Sequence, residues 1–222
     1  MNMKKLFALF CLLLCVFLVS SACADQIQVR IITFGRYEQD GNEENGPEPI
    51  EWVVLQEMGS MKLLISLKCL DARHFDKEGT PGSYANHIWE ACSLREWLND
   101  TFLNSAFTEE EQKAIRKTLV SNAKPDGYPD FDAYGSALIY DKLYLLSYKE
   151  LVQYAGSIPV AQATPYALAK DKNAADFWLR SPGPDKASVL FLQSGGQLNV
   201  DSATFCTFGV RPVMTVLLPE DE

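Results

Sequence analysis

Apolar and polar residues alternate in "QIQVRIITF", where Ile27, Val29 and Ile31 are spaced by two, a period that predicts a half-buried strand. An acidic Gly/Pro/Asn loop, "GRYEQDGNEENGPEP", follows it. The runs "IEWVVLQE" and "KLLISLKCL" flank a short "MGSM" turn and predict a β-hairpin. The period then lengthens. In "SLREWLNDTFL", Leu94, Trp97, Leu98, Thr101 and Phe102 fall on one helical face behind a Ser93–Glu96 capping box. Thr108 to Glu111 repeats the cap and places acids at the positive end of the helix dipole. Ser147 and Glu150 form a third box, after the strand "KLYLLS" and before a short helix that Gly156 would end. Thr164 as cap, with Pro165 at the first helical position, predicts another short helix.

Beyond Ala175 the pattern returns to β. "DFWLRS", "SVLFLQ", "QLNVD" and "GVRPVMTVLL" read as strands, with "SGGQ" as a tight hairpin between the second and third. There is no internal repeat, low-complexity tract or linker. Strands flanking segregated helices predict an α+β class. The expectation is a single compact domain with an irregular twisted antiparallel sheet and a few short helices.

The ends and the charge change this picture. "MNMKK" is basic, "LFALFCLLLCVFLV" is apolar and "SSACA" is small, the layout of a secretory signal over residues 1–24 with cleavage after Ala24. The globular domain would then be residues 25–222, secreted or at the cell surface. The alternative is a lipoprotein anchored at Cys23, although Ser20 stands where such signals carry an aliphatic residue. The apolar run is shorter than the roughly 20 residues of a spanning helix, and nothing else in the chain is apolar enough to span. The formal charge of −9 becomes −11 once Lys4 and Lys5 are removed. Nucleic acid and anionic membrane surfaces are therefore poor partners. Of six cysteines, Cys69, Cys92 and Cys206 remain after cleavage. They are either three small buried hydrophobes or one oxidised pair and a free thiol.

Candidate chemistry is sparse. There is no G-x-S-x-G elbow, no H-E-x-x-H, no P-loop and no dinucleotide glycine fingerprint, so no cofactor and no catalytic residue is assigned. His74 and His87 could pair with Cys69 or Cys92, but their spacing matches no ligand motif and assigns no metal. Asn99 opens a formal glycosylation sequon inside a predicted helix. The loop "KPDGYPDFDAYGSALIY" interleaves Asp126, Asp130 and Asp132 with Tyr128, Phe131 and Tyr134. Rings and carboxylates on one loop can stack on a sugar face and accept its hydroxyl hydrogen bonds, or such a loop can simply cap the core. Tyr128, Asp130, Phe131, Asp132 and Tyr134 are candidate ligand-binding residues.

Arg180 and Arg211 are further candidates. Each is the one cation in a strongly apolar strand, in "FWLRSPG" and "FGVRPVMTV", and a buried guanidinium must be paired. Asp176, Asp185 and Asp201 are the acids nearby in sequence. Pro182 and Pro212 follow closely, and the bends they impose leave carbonyls that a five-donor guanidinium can satisfy. Such arginines either lock the turns of the C-terminal sheet or line a ligand cleft.

The blocks "ITFGRY…PIEWVVL", "CSLREWLN", "DKLYLLSYKE", "FWLRSPG" and "GVRPVMTV" together resemble an uncharacterised domain of secreted and surface bacterial proteins, over about Ile27 to Leu217. A more distant resemblance, carried by the Trp/Arg segment, the glycine hairpin and "FGVR", is to C-type-lectin-like domains of the formylglycine-generating, sulfatase-modifying type. That resemblance implies a compact fold with an irregular twisted sheet. It does not imply the oxidase, which needs two neighbouring cysteines where this chain has Cys206 alone. The expected function is an extracellular binding or interaction module for a surface glycan, a cell-wall component or a protein. The alternative is an enzyme of unrecognised type, such as a glycan hydrolase using Asp130 and Asp132.

Overall fold

A computed structural model of the chain describes residues 29–77, 88–122 and 138–219. Strand β1 (Ile31–Tyr37) pairs antiparallel with β2 (Glu48–Met58), which turns at Gly59–Ser60 into β3 (Met61–Ser66). The predicted hairpin is therefore present. Its register on β1 shifts between Thr33 and Arg36. Gly35 sits in that bulge at φ +71°, with the Phe107 ring 2.5 Å from where a Cβ would stand. Only glycine fits there.

The chain then crosses to β4 (Asp71–His74) and enters α1 (Ser93–Trp97), which runs through a π-helical turn (Leu98–Phe102) into α2 (Leu103–Ala106). Helix α3 (Glu109–Ala114) leads to β5 (Ile115–Arg116) and β6 (Thr118–Ser121), and later come β7 (Leu138–Asp141) and β8 (Leu143–Tyr144). Helices α4 (Tyr148–Tyr154) and α5 (Pro165–Lys170) precede the β-rich C-terminal part. That part contains β9 (Phe177–Pro182), β10 (Ser188–Leu192), β11 (Leu198–Ser202), β12 (Thr207–Val210) and β13 (Val213–Leu217).

These strands form two main sheets. One has the order β1-β2-β3-β13-β5, with β8 also on β13; the other has the order β11-β10-β9-β12-β4; β6 and β7 pair as a ribbon. Among the described residues the strands pair antiparallel except at one parallel bridge, Gly209 to Phe177, between β12 and β9; a further isolated parallel bridge joins Cys69 to Ala163. The result is a mostly β domain with a curled antiparallel half-barrel sheet and few short helices. This is the expected compact domain with an antiparallel sheet and a few short helices, richer in β than the α+β class implied. The capping boxes at Thr108 and Ser147 are both formed, but their helices run six and seven residues. A cap fixes where a helix starts and says nothing about its length.

Four further expectations change. The cap of α1 is the Cys92 thiol, which accepts from the Arg95 N–H, not Ser93. Leu94, Leu98 and Phe102 are buried as predicted, but the π turn brings Leu103 inside and leaves Thr101 exposed and Trp97 half-buried. Gly156 does not adopt the left-handed cap conformation. The run "GVRPVMTVLL" is two strands rather than one, because Pro212 donates no N–H and the chain changes sheet at Arg211–Pro212.

A continuous apolar cluster draws its buried residues from both main sheets and from α1, α2 and α4, with Ala114 of α3 and Tyr166 of α5 packed against it. Trp52, Trp89 and Trp178 are its largest fully buried side chains. Each indole N–H has an acceptor: the Phe34 carbonyl, the Asp141 carboxylate and the Arg73 carbonyl respectively. Burial of a tryptophan requires such a partner. Among the described residues no helix is long and apolar enough to cross a membrane.

Candidate functional site

A cleft of about 590 Å³ opens between β4 and α1. Its foundation is Asp71, the first residue of β4, which is fully buried. One carboxylate oxygen accepts from Lys170 Nζ at 2.6 Å, and the other from the Tyr37 hydroxyl at 2.8 Å. Arg73 Nε lies 3.5 Å from the second oxygen. Burial, then the adjacent Asp71 charge, pushes the Tyr37 hydroxyl far above its ordinary range. Tyr37 is therefore a fixed donor to Asp71.

Asp71 thereby holds two cations at the cleft wall. The Arg73 guanidinium lies 3.9 Å over the Trp97 ring, and the Lys170 ammonium 4.1 Å over the Tyr166 ring. Both geometries suit a cation–π contact. Asp76 accepts from the Ser93 N–H at 2.9 Å and so fixes the start of α1 against the β4 side. His74 is exposed, with Nδ1 3.0 Å from the Cys206 carbonyl. The finished cleft carries three cations (Arg73, Lys77, Lys170), three carboxylates (Asp76, Glu96, Asp100), His74 and the hydroxyls of Ser93, Thr101 and Thr207. It offers donors and acceptors in equal measure, on a chain whose overall charge is −9.

The arginines singled out in the sequence lie elsewhere. Arg180 is 2% exposed on β9. It pairs with the Glu150 carboxylate, with Nη2 2.9 Å from Oε1 and Nη1 on Oε2, and donates to the Leu145 and Ser121 carbonyls and to Asn122 Oδ1. Arg211 is 1% exposed where the chain passes from β12 to β13. It donates to three carbonyls, Ser66 at 2.9 Å, Leu67 at 3.1 Å and Pro159 at 3.1 Å. Burial pushes its guanidinium down to about 10, which leaves it charged at neutral pH.

Both are thus buried and hold carbonyls or an acid, as the sequence predicts, but the acids nearby in sequence are not their partners. Asp176, Asp185 and Asp201 instead accept from the backbone N–H groups of Ser194, Ala187 and Ser202. The Asp185 and Asp201 contacts are local, of the kind short aspartate side chains make readily, whereas Asp176 reaches the β10–β11 connection 18 residues on.

Tyr128, Asp130, Phe131, Asp132 and Tyr134 lie outside the described residues, as do His87 and the segment 1–24. Cys69 and Cys92 are buried, and Cys206 is half-buried; all three are free thiols. Asn99 is occupied as a clamp. Its amide group donates to the Arg95 and Leu143 carbonyls and accepts from the Lys142 and Leu143 N–H groups. Glu38, Asp40 and Glu48 gather their carboxylates within 4.8 Å on the acidic loop. There they accept from Gly41, Asn42 and Gln39 backbone N–H groups and so fold the loop itself.

Sequence reasoning missed the Asp71 centre. Its partners Tyr37 and Lys170 lie 34 and 99 residues away, beyond any local pattern. Nor does Asp71 stand out locally as the two arginines do, because Lys68, Arg73 and His74 surround it in "LKCLDARHF".

Fold and site together define a mostly β domain with a polar, evenly charged cleft at the end of one sheet. The chain belongs to the family described as a domain of unknown function, DUF6273, which matches residues 53–218. No curated protein and no solved structure matches it.

Proposed function

We propose that this domain is an extracellular or cell-surface binding module, and that the cleft between β4 and α1 takes a hydrophilic ligand of the bacterial surface. One observation carries the reading: the Arg73–Trp97 stack, anchored on buried Asp71, in a cleft with three cations and three carboxylates. Such a lining suits a ligand that carries hydroxyls together with charges of both signs, as a cell-wall glycopeptide does. The volume falls in the range of small-molecule sites, roughly 300–1,000 Å³. Because Arg73 covers one face of the indole, the ligand would meet the outer face of the guanidinium rather than the bare ring. The export signal read in residues 1–24 supports the extracellular part of the same reading.

The test is an array of surface glycans and cell-wall glycopeptides probed with residues 25–222. Wild-type binding should fall at least tenfold in Glu96→Gln and His74→Ala, two exposed lining residues whose removal spares the core. Binding that survives both substitutions would place the ligand elsewhere, and an array with no binder would refute the ligand class.

A further inference from the structure

A second cavity, of about 370 Å³, shares no lining residue with the β4–α1 cleft. Its walls are Leu151 and Val152 of α4, Val160 of the following segment, Phe177 of β9, and Leu192 and Leu198 at the neck of the β10–β11 hairpin. The one charged residue lining it is Arg211. Three of the five guanidinium N–H groups go to carbonyls, and among the described residues no Asp or Glu is in ion-pair range of it. The cation packs 5.4 Å from the Phe177 ring. The nearby Cys69 thiol, pushed up to about 12 by burial, supplies no negative charge at neutral pH.

An apolar pocket ending on a buried cation without a counter-charge is electrostatically incomplete. A buried charge that lacks an opposite partner is costly, and a carboxylate brought to it recovers part of that cost through charge-assisted hydrogen bonds. We propose that this pocket binds a medium-chain apolar monocarboxylate of the fatty-acid type, with its carboxylate at Arg211 and its chain along Leu151, Phe177, Leu192 and Leu198. Charge selects the head group: the two remaining guanidinium N–H groups match the two oxygens of a carboxylate. Volume selects the chain. At the ~30 Å³ that a water occupies in the liquid, the cavity holds on the order of a dozen heavy atoms, the size of decanoate. Val152 and Val160 are 59% and 75% exposed at the rim, which leaves an open apolar approach. The site is separate from the β4–α1 cleft and does not depend on the reading of that cleft.

Isothermal titration of residues 25–222 with decanoate, decanol and decylamine tests the assignment. Hydrogen bonds to charged groups contribute ~1.5–3 kcal/mol, so decanoate should bind about 10- to 100-fold more tightly than decanol, and decylamine should not bind. Arg211→Met should abolish that preference if it folds. Because it could fail to fold, Val160→Glu is the second variant: an acid at an exposed rim position that should spare the melting temperature and weaken decanoate at least tenfold. Equal affinity for decanoate and decanol, no binding of either, or unchanged decanoate binding in Val160→Glu would each overturn the proposal.

Discussion

The Glu150 carboxylate completes the capping box of α4 by accepting from the Ser147 N–H at 2.8 Å, and the same carboxylate pairs with the buried guanidinium of Arg180. A residue that looks purely local in sequence therefore ties α4 to β9. It places one acid where a helix start and a buried cation both need it. Arg211 has the corresponding role at the sheet junction. The chain leaves β3 at Ser66 and β12 at Val210, two places where it passes between the main sheets, and Arg211 bonds the carbonyls of Ser66 and Leu67 across them.

Glu150→Gln separates the two roles of that carboxylate. Glutamine still serves at the third position of a capping box, so the helix start survives while Arg180 loses its counter-charge. We expect a loss of about 3 kcal/mol in denaturant unfolding, the lower end of the cost of breaking a buried pair, because Glu150 is partly exposed. A loss under about 1 kcal/mol would show that the carbonyls and Asn122 satisfy Arg180 unaided.

Arg211→Lys should also destabilise, by roughly 2–4 kcal/mol. An ammonium on a flexible stem cannot reproduce the planar fork that reaches Ser66, Leu67 and Pro159 together. Chemical denaturation of the variant measures it, and a wild-type midpoint would mean that the fork is dispensable.

Gly209→Ala should be among the most damaging small substitutions in the domain. A Cβ there would stand 2.1 Å from the Ala174 carbonyl and 2.9 Å from the Asp176 carbonyl, backbone atoms that cannot step aside. The expected loss is on the order of 3 kcal/mol or more, at the upper end for overpacking. Gly195→Ala, with nothing within 4 Å of its Cβ, is the control and should cost little.

The two tryptophans Trp178 and Trp97 should respond differently to alanine. Trp178 is fully buried and packs against Phe75, Phe191 and Phe208, so its removal should cost about 3–5 kcal/mol. Trp97 is half-buried at the cleft, so its loss should fall below about 2 kcal/mol and show mainly in ligand binding. Paired melts and the array assay check both. A large stability loss for Trp97 would return it to the core.

Thiol titration follows burial. Burial raises the Cys69 thiol to about 12 and the Cys92 thiol further still, and burial followed by the adjacent Asp201 pushes Cys206 up to about 11. At pH 8 a thiol reagent should label half-buried Cys206 slowly and leave the other two unlabelled until denaturant is added. The sign of the alkaline dependence follows as well. These groups release protons later in the folded state, so stability holds below their unfolded value near 9 and declines as pH rises towards 12. Arg211 and Lys142, both held low by burial, act in the opposite sense, but they are two groups against Cys69, Cys92, Tyr37 and Tyr144. Stability that rises from pH 9 to 11 would contradict this balance.

The sequence by itself determined what short-range forces decide. The β2–β3 hairpin, the capped starts of three helices at Thr108, Ser147 and Thr164, and the strands β9, β10 and β11 were all legible. Each rests on a period, a cap or a turn within a few residues. So was the burial of Arg180 and Arg211, because a lone cation in an apolar strand must find acceptors. Which acceptors it finds was left to the tertiary structure. Glu150 reaches Arg180 across 30 residues, Ser66 reaches Arg211 across 145, and Lys170 reaches Asp71 across 99. The division of "GVRPVMTVLL" between two sheets and the cleft between β4 and α1 belong to the same category. Side-chain periodicity records which face of a strand is buried, but it carries no information on which distant strand covers that face. That choice is made only when the sheets close around Trp178 and its neighbours, where packing and the pairing of buried charges must be satisfied together.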